Sequence, residues 1–367
     1  MTLNLRRLGL TLAAPALAIV VAFIITSLVL VAVGDPVGLV WQTLLTEPRP
    51  RTMVNIVNSA VTYYIAAVAV AIGFKMKLFN IGVDGQYRIA TFAAALVAGH
   101  AWLPGPLNVI LALLVAMAVG AVWAGIAGWL KVTRGVSEVI STIMLNTISA
   151  GLVAWGLRSW GSRAEGSNAR STTEIPESSQ LDGLALVPDT PVRVYTLLLL
   201  AVVVGLAYWF VINKTRFGFD LRATGESETA AVASGVKVKR MVLIAMLASG
   251  AVAGLIGMPA FFGLDHAYGA NFQDGVGFVG IGVALLGRNH PVGIAFAALL
   301  WSWLEKASDG LQLQADVSPA LVYIIQGTIL LAVVVAYEVV RRIEQRMEQR
   351  QVAAELDAPA ATEGASA

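Results

Sequence analysis

Charged residues in this chain stand in clusters, and the stretches between the clusters are long, uncharged and apolar. The stretch VNIVNSAVTYYIAAVAVAIGF, residues 54–74, is one of them. It is long enough for the about 20 helical residues that a bilayer core demands. Only 13% of the residues are charged and 57% are hydrophobic, whereas a soluble domain carries about a quarter charged residues. Water cannot be the main solvent of such a chain. Repetition of the pattern implies several membrane helices rather than a single anchor.

Other chemistries are narrowed by what the chain contains. A net charge of +2 is too small to mark a nucleic-acid partner. There are no cysteines, which excludes disulfides, thiolate catalysis and Cys-based metal sites. His100, His266 and His290 lie far apart, and neither HExxH nor a Walker A signature occurs. No cofactor, metal or catalytic residue is therefore expected. The first apolar run, residues 8–34, follows Arg6 and Arg7. It exceeds the about 7–15 residues of a signal peptide's apolar core and reads as the first span.

Gaps between charges give the expected spans: 10–33, 54–74, 89–103, 107–130, 139–157, 194–213, 241–262, 275–287, 291–304 and 319–337. The expected fold is all-α and polytopic, with about ten transmembrane helices, some of them broken or re-entrant. The Leu-Pro-Gly-Pro run at 103–106 separates two spans, since Pro and Gly stop a helix. With this count every basic cluster falls on one side, from Arg6 and Arg7 through Lys75, Lys131, Lys214–Arg240 and Arg288 to Arg341. The positive-inside rule then places both termini in the cytoplasm. Residues 1–343 form the membrane domain, with a cytoplasmic loop at 214–240 and a polar external loop at 158–193. That external loop reads either as a tolerated surface loop or as a docking surface. Residues 344–367 read as a frayed cytoplasmic tail.

Small residues suggest close helix packing. Gly120, Ala124 and Gly128 form one small-xxx-small row, and Gly250 and Gly254 another. The stretch GVGFVGIGVALLG at 275–287 is too short to cross about 30 Å as a helix and carries many glycines, so a broken or re-entrant helix is expected there. Irregular backbone at that depth survives only within protein or beside a wet cavity.

Polar residues recur at helical spacing. Asn55, Asn58 and Thr62 share one face of the second span; Thr142, Asn146 and Ser149 share one face of the fifth. They serve either interhelical hydrogen bonds, worth about 0.6 kcal/mol each on average, or a polar pathway. The motif LFNIGVDGQY at 78–87 is more demanding, because Asn80, Asp84 and Gln86 are costly against lipid. Gly82 and Gly85 permit an unwound backbone. A structural turn is one reading; a path for a neutral polar substrate fits better, since hydrogen-bonding groups are many and net charge is small.

Within the cytoplasmic loop, Ser227 is a good N-cap, Glu228 complements the helix dipole, and Ala230, Ala231 and Ala233 make a slim helix. Gly235 is a natural stop. Such a helix is either an ordinary loop helix or a small-residue face that enters a partner's groove.

The segment ETAAVASGV resembles the coupling-loop motif of ABC importer permeases, with Glu228, Ala230, Ala231 and Gly235 at matching places. LFNIGVDGQ resembles the LFNIGxEGQ stretch of the nucleoside and simple-sugar branch of the branched-chain amino acid permease superfamily, with Asp84 where Glu is usual. GVSEVISTIMLN at 135–146, GFVGIGVALLGRNHPVG at 277–293 and SDGLQ at 308–312 are also similar to that branch. The resemblance runs from about Val54 to Val340, and the length and long external loop look most like the larger of two paired permeases in nucleoside uptake systems. It implies a subunit of an ATP-driven importer in the bacterial inner membrane, forming half of a translocation pathway. A second permease, two cytoplasmic ATPase subunits that bind the ATP, and an external lipid-anchored or periplasmic binding protein would complete it. The ATPase would dock on the region holding Arg222, Thr224, Glu228, Ala230, Ala231 and Gly235. Asn80, Asp84, Gln86, Asn55, Asn58, Thr142 and Asn146 are the candidate substrate-pathway residues. Within the family a simple sugar or a branched-chain amino acid is the rival substrate. Outside it the rivals are an ion-coupled secondary transporter, which needs ionisable residues within spans, and an intramembrane enzyme, which needs a catalytic dyad or metal set.

Overall fold

The computed structural model describes residues 20–163, 169–269, 272–315, 318 and 320–357. Two compact units divide it: residues 47–306, and residues 1–46 together with 307–367.

In the larger unit, α3 (Pro50–Phe74) is buried almost throughout. Its Ala66, Ala67, Ala69 and Ala71 are too small to hold neighbouring helices away. The chain then runs irregularly from Lys75 to Gly82 and enters α4 (Val83–Gly99). Next come α5 (Gly105–Arg134) and α6 (Glu138–Trp160). Gly135, at φ 68°, closes α5 in the left-handed conformation, just after Lys131 and Arg134 complement the helix's negative end.

The loop at 158–193, expected to be external, is folded where it is described. Ser162–Arg163 (β1) pairs antiparallel with Arg170–Ser171 (β2). Thr172 N–H donates to the Tyr268 carbonyl at 2.8 Å and Ile175 N–H to that of His266 at 2.9 Å. Residues 164–168 of this loop lie outside the described residues.

A 72° bend then separates α7 (Leu198–Lys214) from α8 (Arg216–Glu226). The short α9 (Glu228–Ala233) follows. Next, α10 (Val238–Gly254) is prolonged by α11 (Met258–Ala260) and a π turn at Phe261–Asp265. α12 (Val276–Leu286) is short, and α13 (Pro291–Ala315) begins in this unit. The small-residue rows pack helix on helix. A Cβ built at Gly250 would strike the Gly120 carbonyl and the Ala124 methyl, and one at Gly254 the Ala116 carbonyl. Backbones of α5 and α10 thus touch where the sequence puts its glycines.

In the smaller unit, α1 (Val20–Val33) turns at Gly34 into α2 (Val37–Leu45). Trp41 Nε1 donates to Ser27 Oγ at 3.0 Å and its ring meets Phe23 at 4.5 Å. The unit also holds α14 (Ala320–Asp357). The tail expected to fray from residue 344 continues this helix to Asp357, because EQRMEQRQVAAELD is rich in good helix formers. Residues 358–367 of that tail lie outside the described residues, as do residues 10–19 of the first expected span and Pro319 of the last.

Helix occupies each of the expected spans as far as it is described. Among the described residues, five helices are long and apolar enough to cross a membrane, or six when the bent α7–α8 pair counts as one. The structure therefore shows fewer full-length crossings than the about ten read from charge gaps. α4 and α7 each have 17 residues and α12 only 11, short of the about 20 that a crossing needs. Charge gaps mark where apolar chain lies, but they do not distinguish a continuous helix from one that is half unwound.

Candidate translocation site

The break between α3 and α4 is held by side chains from two other helices, α6 and α10. Lys77, at φ 56°, turns the chain back after α3. Asn80 and Gln86 then pair with each other. Gln86 Nε2 donates to Asn80 Oδ1 at 2.9 Å, and Asn80 Nδ2 donates to Gln86 Oε1 at 3.0 Å. Asn80 also accepts from Gly82 N–H at 3.1 Å and donates to Ser249 Oγ at 2.9 Å. Ser249 in turn donates to the Ala69 carbonyl at 2.7 Å. Both amides are buried and every polar atom has a partner, so the pair locks the broken segment between α3 and α10.

The polar stripe of α6 meets the same segment. Asn146 Nδ2 donates to the Ile81 carbonyl at 3.0 Å, and Gly85 N–H donates to Asn146 Oδ1 at 2.9 Å. One amide thus satisfies two backbone groups that the unwound chain would otherwise orphan. A Cβ at Gly82 would lie 2.9 Å from that of buried Thr142, whose hydroxyl donates to the Glu138 carbonyl at 2.7 Å. Glycine is needed there for close approach. Glu138 anchors the start of the segment by accepting from Phe79 N–H at 3.4 Å and from Lys131 Nζ at 2.5 Å.

Asp84 occupies the first turn of α4 and reaches the first turn of α12. Its Oδ1 accepts from Gly277 N–H at 3.2 Å, and its Oδ2 pairs with Arg88 at 2.8 Å. Arg88 extends to Asp274 at 3.1 Å. A Cβ at Gly277 would collide with the Asp84 backbone. Two helix N-termini therefore converge on one carboxylate, which suits their positive ends. The 11 residues of α12 cover about 16 Å at 1.5 Å per residue, roughly half of a 30 Å core. The ladder from Asp84 to Asp274 grades outward: the side chain of Asp84 is 4% exposed, that of Arg88 21% and that of Asp274 75%.

Further residues join this ladder. Gln273 Nε2 donates to Tyr63 Oη at 3.2 Å, Tyr63 donates to Glu305, and Tyr87 donates to the Gln273 carbonyl. Sequence reading missed Arg88, Gln273, Asp274 and Glu305. The signal for Arg88 was its i,i+4 spacing from Asp84. Glu305 was passed over because the expected span ended at Leu304, whereas α13 continues to Ala315. Asn58 sits elsewhere: it donates to the Arg193 carbonyl at 3.1 Å and accepts from Tyr195 N–H at 2.9 Å, pinning the end of the external loop to α3. Asn55 is half-buried three residues earlier on α3.

In the loop at 214–240, Ser227 caps α9 by accepting from Ala230 N–H at 3.3 Å. Gly235 adopts φ 84° just past the helix, as its place in the sequence implies. Glu228 and Ala230 are exposed, along with Val232, while Ala231 is buried. Thr224 donates to the Asp220 carbonyl at 2.7 Å and Arg222 to that of Ile212, so these two brace α8. A Cβ at Gly225 would meet the Lys75 carbonyl at 2.5 Å and Met76 Cα at 3.1 Å. The loop thus rests directly on the residues that lead into the broken segment. Burial, with Arg222 and Arg288 nearby, lowers the Lys75 pKa.

A bundle of apolar helices, several long enough to cross a bilayer, with a polar break and a short exposed helix between two of them, is that of a polytopic membrane protein. The family model for the branched-chain amino acid transport system permease component matches residues 52–334, and the chain belongs to that family. It is similar to the guanosine ABC transporter permease protein NupP of Bacillus subtilis, 34% identical over 279 residues, covering 76% of this chain and 79% of that one. The glucose ABC transporter permease protein TsgB13 of Haloferax volcanii is 30% identical over 333 residues, 86% of this chain and 85% of its own. The nucleoside ABC transporter permease protein NupB of Lactococcus lactis is 28% identical over 340 residues, 88% and 90% respectively. The chain is thus the permease component of an ABC transporter and is not itself catalytic. Such a component implies ATPase and binding-protein partners.

Proposed function

We propose that this chain is one of two permease subunits of an ATP-driven nucleoside importer. The half-depth meeting of α4 and α12 carries this reading. Asp274 and Gln273 are exposed beside Arg88, and charged groups at that depth face water rather than lipid. Residues 272–275 descend to this level and α12 completes the crossing. The irregular run at 78–82 does the same for α4. Counted so, broken segments bring the crossings to about ten, with both termini in the cytoplasm. Asn80, Gln86, Thr142 and Asn146 build and brace the wall, Asn58 ties its outer end to the loop, and the surface offered to substrate includes Arg88, Gln273 and Asp274.

Movement follows from the packing. ATPase subunits dock on the exposed face of α9. Their closure pushes α8, which bears on Lys75 and Met76, and these lead into the segment that Asp84 ties to α12. A small displacement at α9 thereby tilts both half-helices, as alternating access requires. The second permease is a related, different chain, and an external binding protein delivers substrate to the outer face in the cytoplasmic membrane.

Neutral donors and acceptors suit a nucleoside, and two of the similar permeases are named for guanosine or nucleosides. One is named for glucose, which makes a sugar the alternative. The test is ATP hydrolysis by the reconstituted complex, titrated with loaded binding protein. Stimulation by nucleosides but not glucose is expected; stimulation by glucose alone would reverse the assignment. In the same preparation Gly235→Trp should abolish stimulated hydrolysis while the chain still inserts, and unchanged hydrolysis would detach α9 from the ATPase.

A further inference from the structure

Outside the Asn80–Gln86 lock lies a partly open cavity of about 180 Å³ between α3, α4, the π turn and the descending segment. Thr62, Tyr87, Tyr195, Asp265, Phe272 and Gln273 face it. Two kinds of surface meet there. One is aromatic: Phe272 lies 5.9 Å from Tyr87 and stacks on Tyr268 at 4.6 Å. The other is polar, formed by the Asp265 carboxylate, the Tyr195 phenol, the Thr62 hydroxyl and the Gln273 amide. The π turn, a form that recurs at functional sites, ends at His266 with φ 54° and thereby sets Asp265 at the cavity.

We propose that this cavity recognises the base of a nucleoside within a single permease subunit and favours guanine. The ring lies against Phe272, since stacking on an aromatic tolerates any base. Guanine alone among the common bases presents a ring N–H and an exocyclic N–H₂ side by side, which one carboxylate accepts together. Its neighbouring O6 accepts from the Tyr195 phenol. Adenine offers an acceptor nitrogen where guanine offers its ring N–H, and that nitrogen would face the carboxylate with no proton between them. A sugar presents no such planar pair. The cavity stands beside the external loop, with Gln273 shared between it and the wall that leads inward. It therefore reads the base before the substrate passes half depth.

This inference rests on the nucleoside reading, and one experiment separates the two. Proteoliposomes carrying the whole complex with ATP are assayed for uptake of guanosine, adenosine, uridine and glucose. The wild type should prefer guanosine. Asp265→Asn should erase the guanosine-to-adenosine preference, a change of roughly ten- to hundredfold, while uridine uptake persists. Tyr195→Phe should raise the guanosine KM severalfold and serves as the reporter where Asp265→Asn does not assemble. Phe272→Leu should raise KM for every nucleoside. An unchanged guanosine-to-adenosine ratio in an active Asp265→Asn or Tyr195→Phe complex would overturn the base site alone. Uptake of glucose and no nucleoside by the wild type would overturn the parent reading.

Discussion

The α5–α10 interface and the junction at residues 78–86 are both rich in glycine, yet glycine does opposite work in them. At Gly120, Gly250 and Gly254 the helices stay regular, and the missing side chains let two backbones touch. At Gly82 the helix is interrupted and at Gly85 it has just begun, and the missing side chains admit Thr142 and Asn146 of α6. The difference lies in the neighbours. Ala116 and Ala124 face the first set, whereas amides and hydroxyls face the second. In an apolar setting glycine therefore seals a bundle, and with amides at hand it lets the bundle be opened.

Arg88→Ala should break this contrast most severely. It leaves Asp84 buried beside α12 without its cation, which costs about 3–5 kcal/mol. Thermal unfolding in detergent should show a large fall, largely recovered when Asp84→Asn is added; no fall would mean that the ladder carries little of the fold. Asn80→Leu should come next, at about 1–3 kcal/mol for each buried group left unpaired on Gln86 and Gly82. Denaturant titration checks it, and uptake should fall in parallel because the same lock shapes the wall. Gly250→Val should be smaller. Overpacking costs typically about 1–3 kcal/mol, and a pair of straight helices can part slightly, so substrate selectivity among the remaining active complexes should be unaltered. A shift in selectivity with Gly250→Val would merge the two regions into one.

The sequence carried much of this difference. The rows at 120–128 and 250–254 announced packing, and NIGVDGQ announced a break. Ser227 and Gly235 marked the ends of α9 correctly because caps are local. What stayed hidden was partnership over distance. That Asn80 meets Gln86 depends on how the chain bends between them, and that Asp84 meets Gly277 depends on tertiary packing. Asp274 looked like part of a loop because charge marks the edge of an apolar run whether the chain has left the membrane or only unwound inside it. The expected span count exceeded the full-length helices for the same reason.

The central claim is that Asp274 stands on a watery wall at half depth that the ATPase opens and closes. Because the chain has no cysteine, Asp274→Cys would be the only thiol in this subunit. Its rate of modification by a membrane-impermeant reagent added outside should be measured in the nucleotide-free complex and again with ATP trapped. The account predicts a reactive thiol whose rate differs severalfold between the two states. A thiol that stays inert in both, or reacts equally in both, would contradict it.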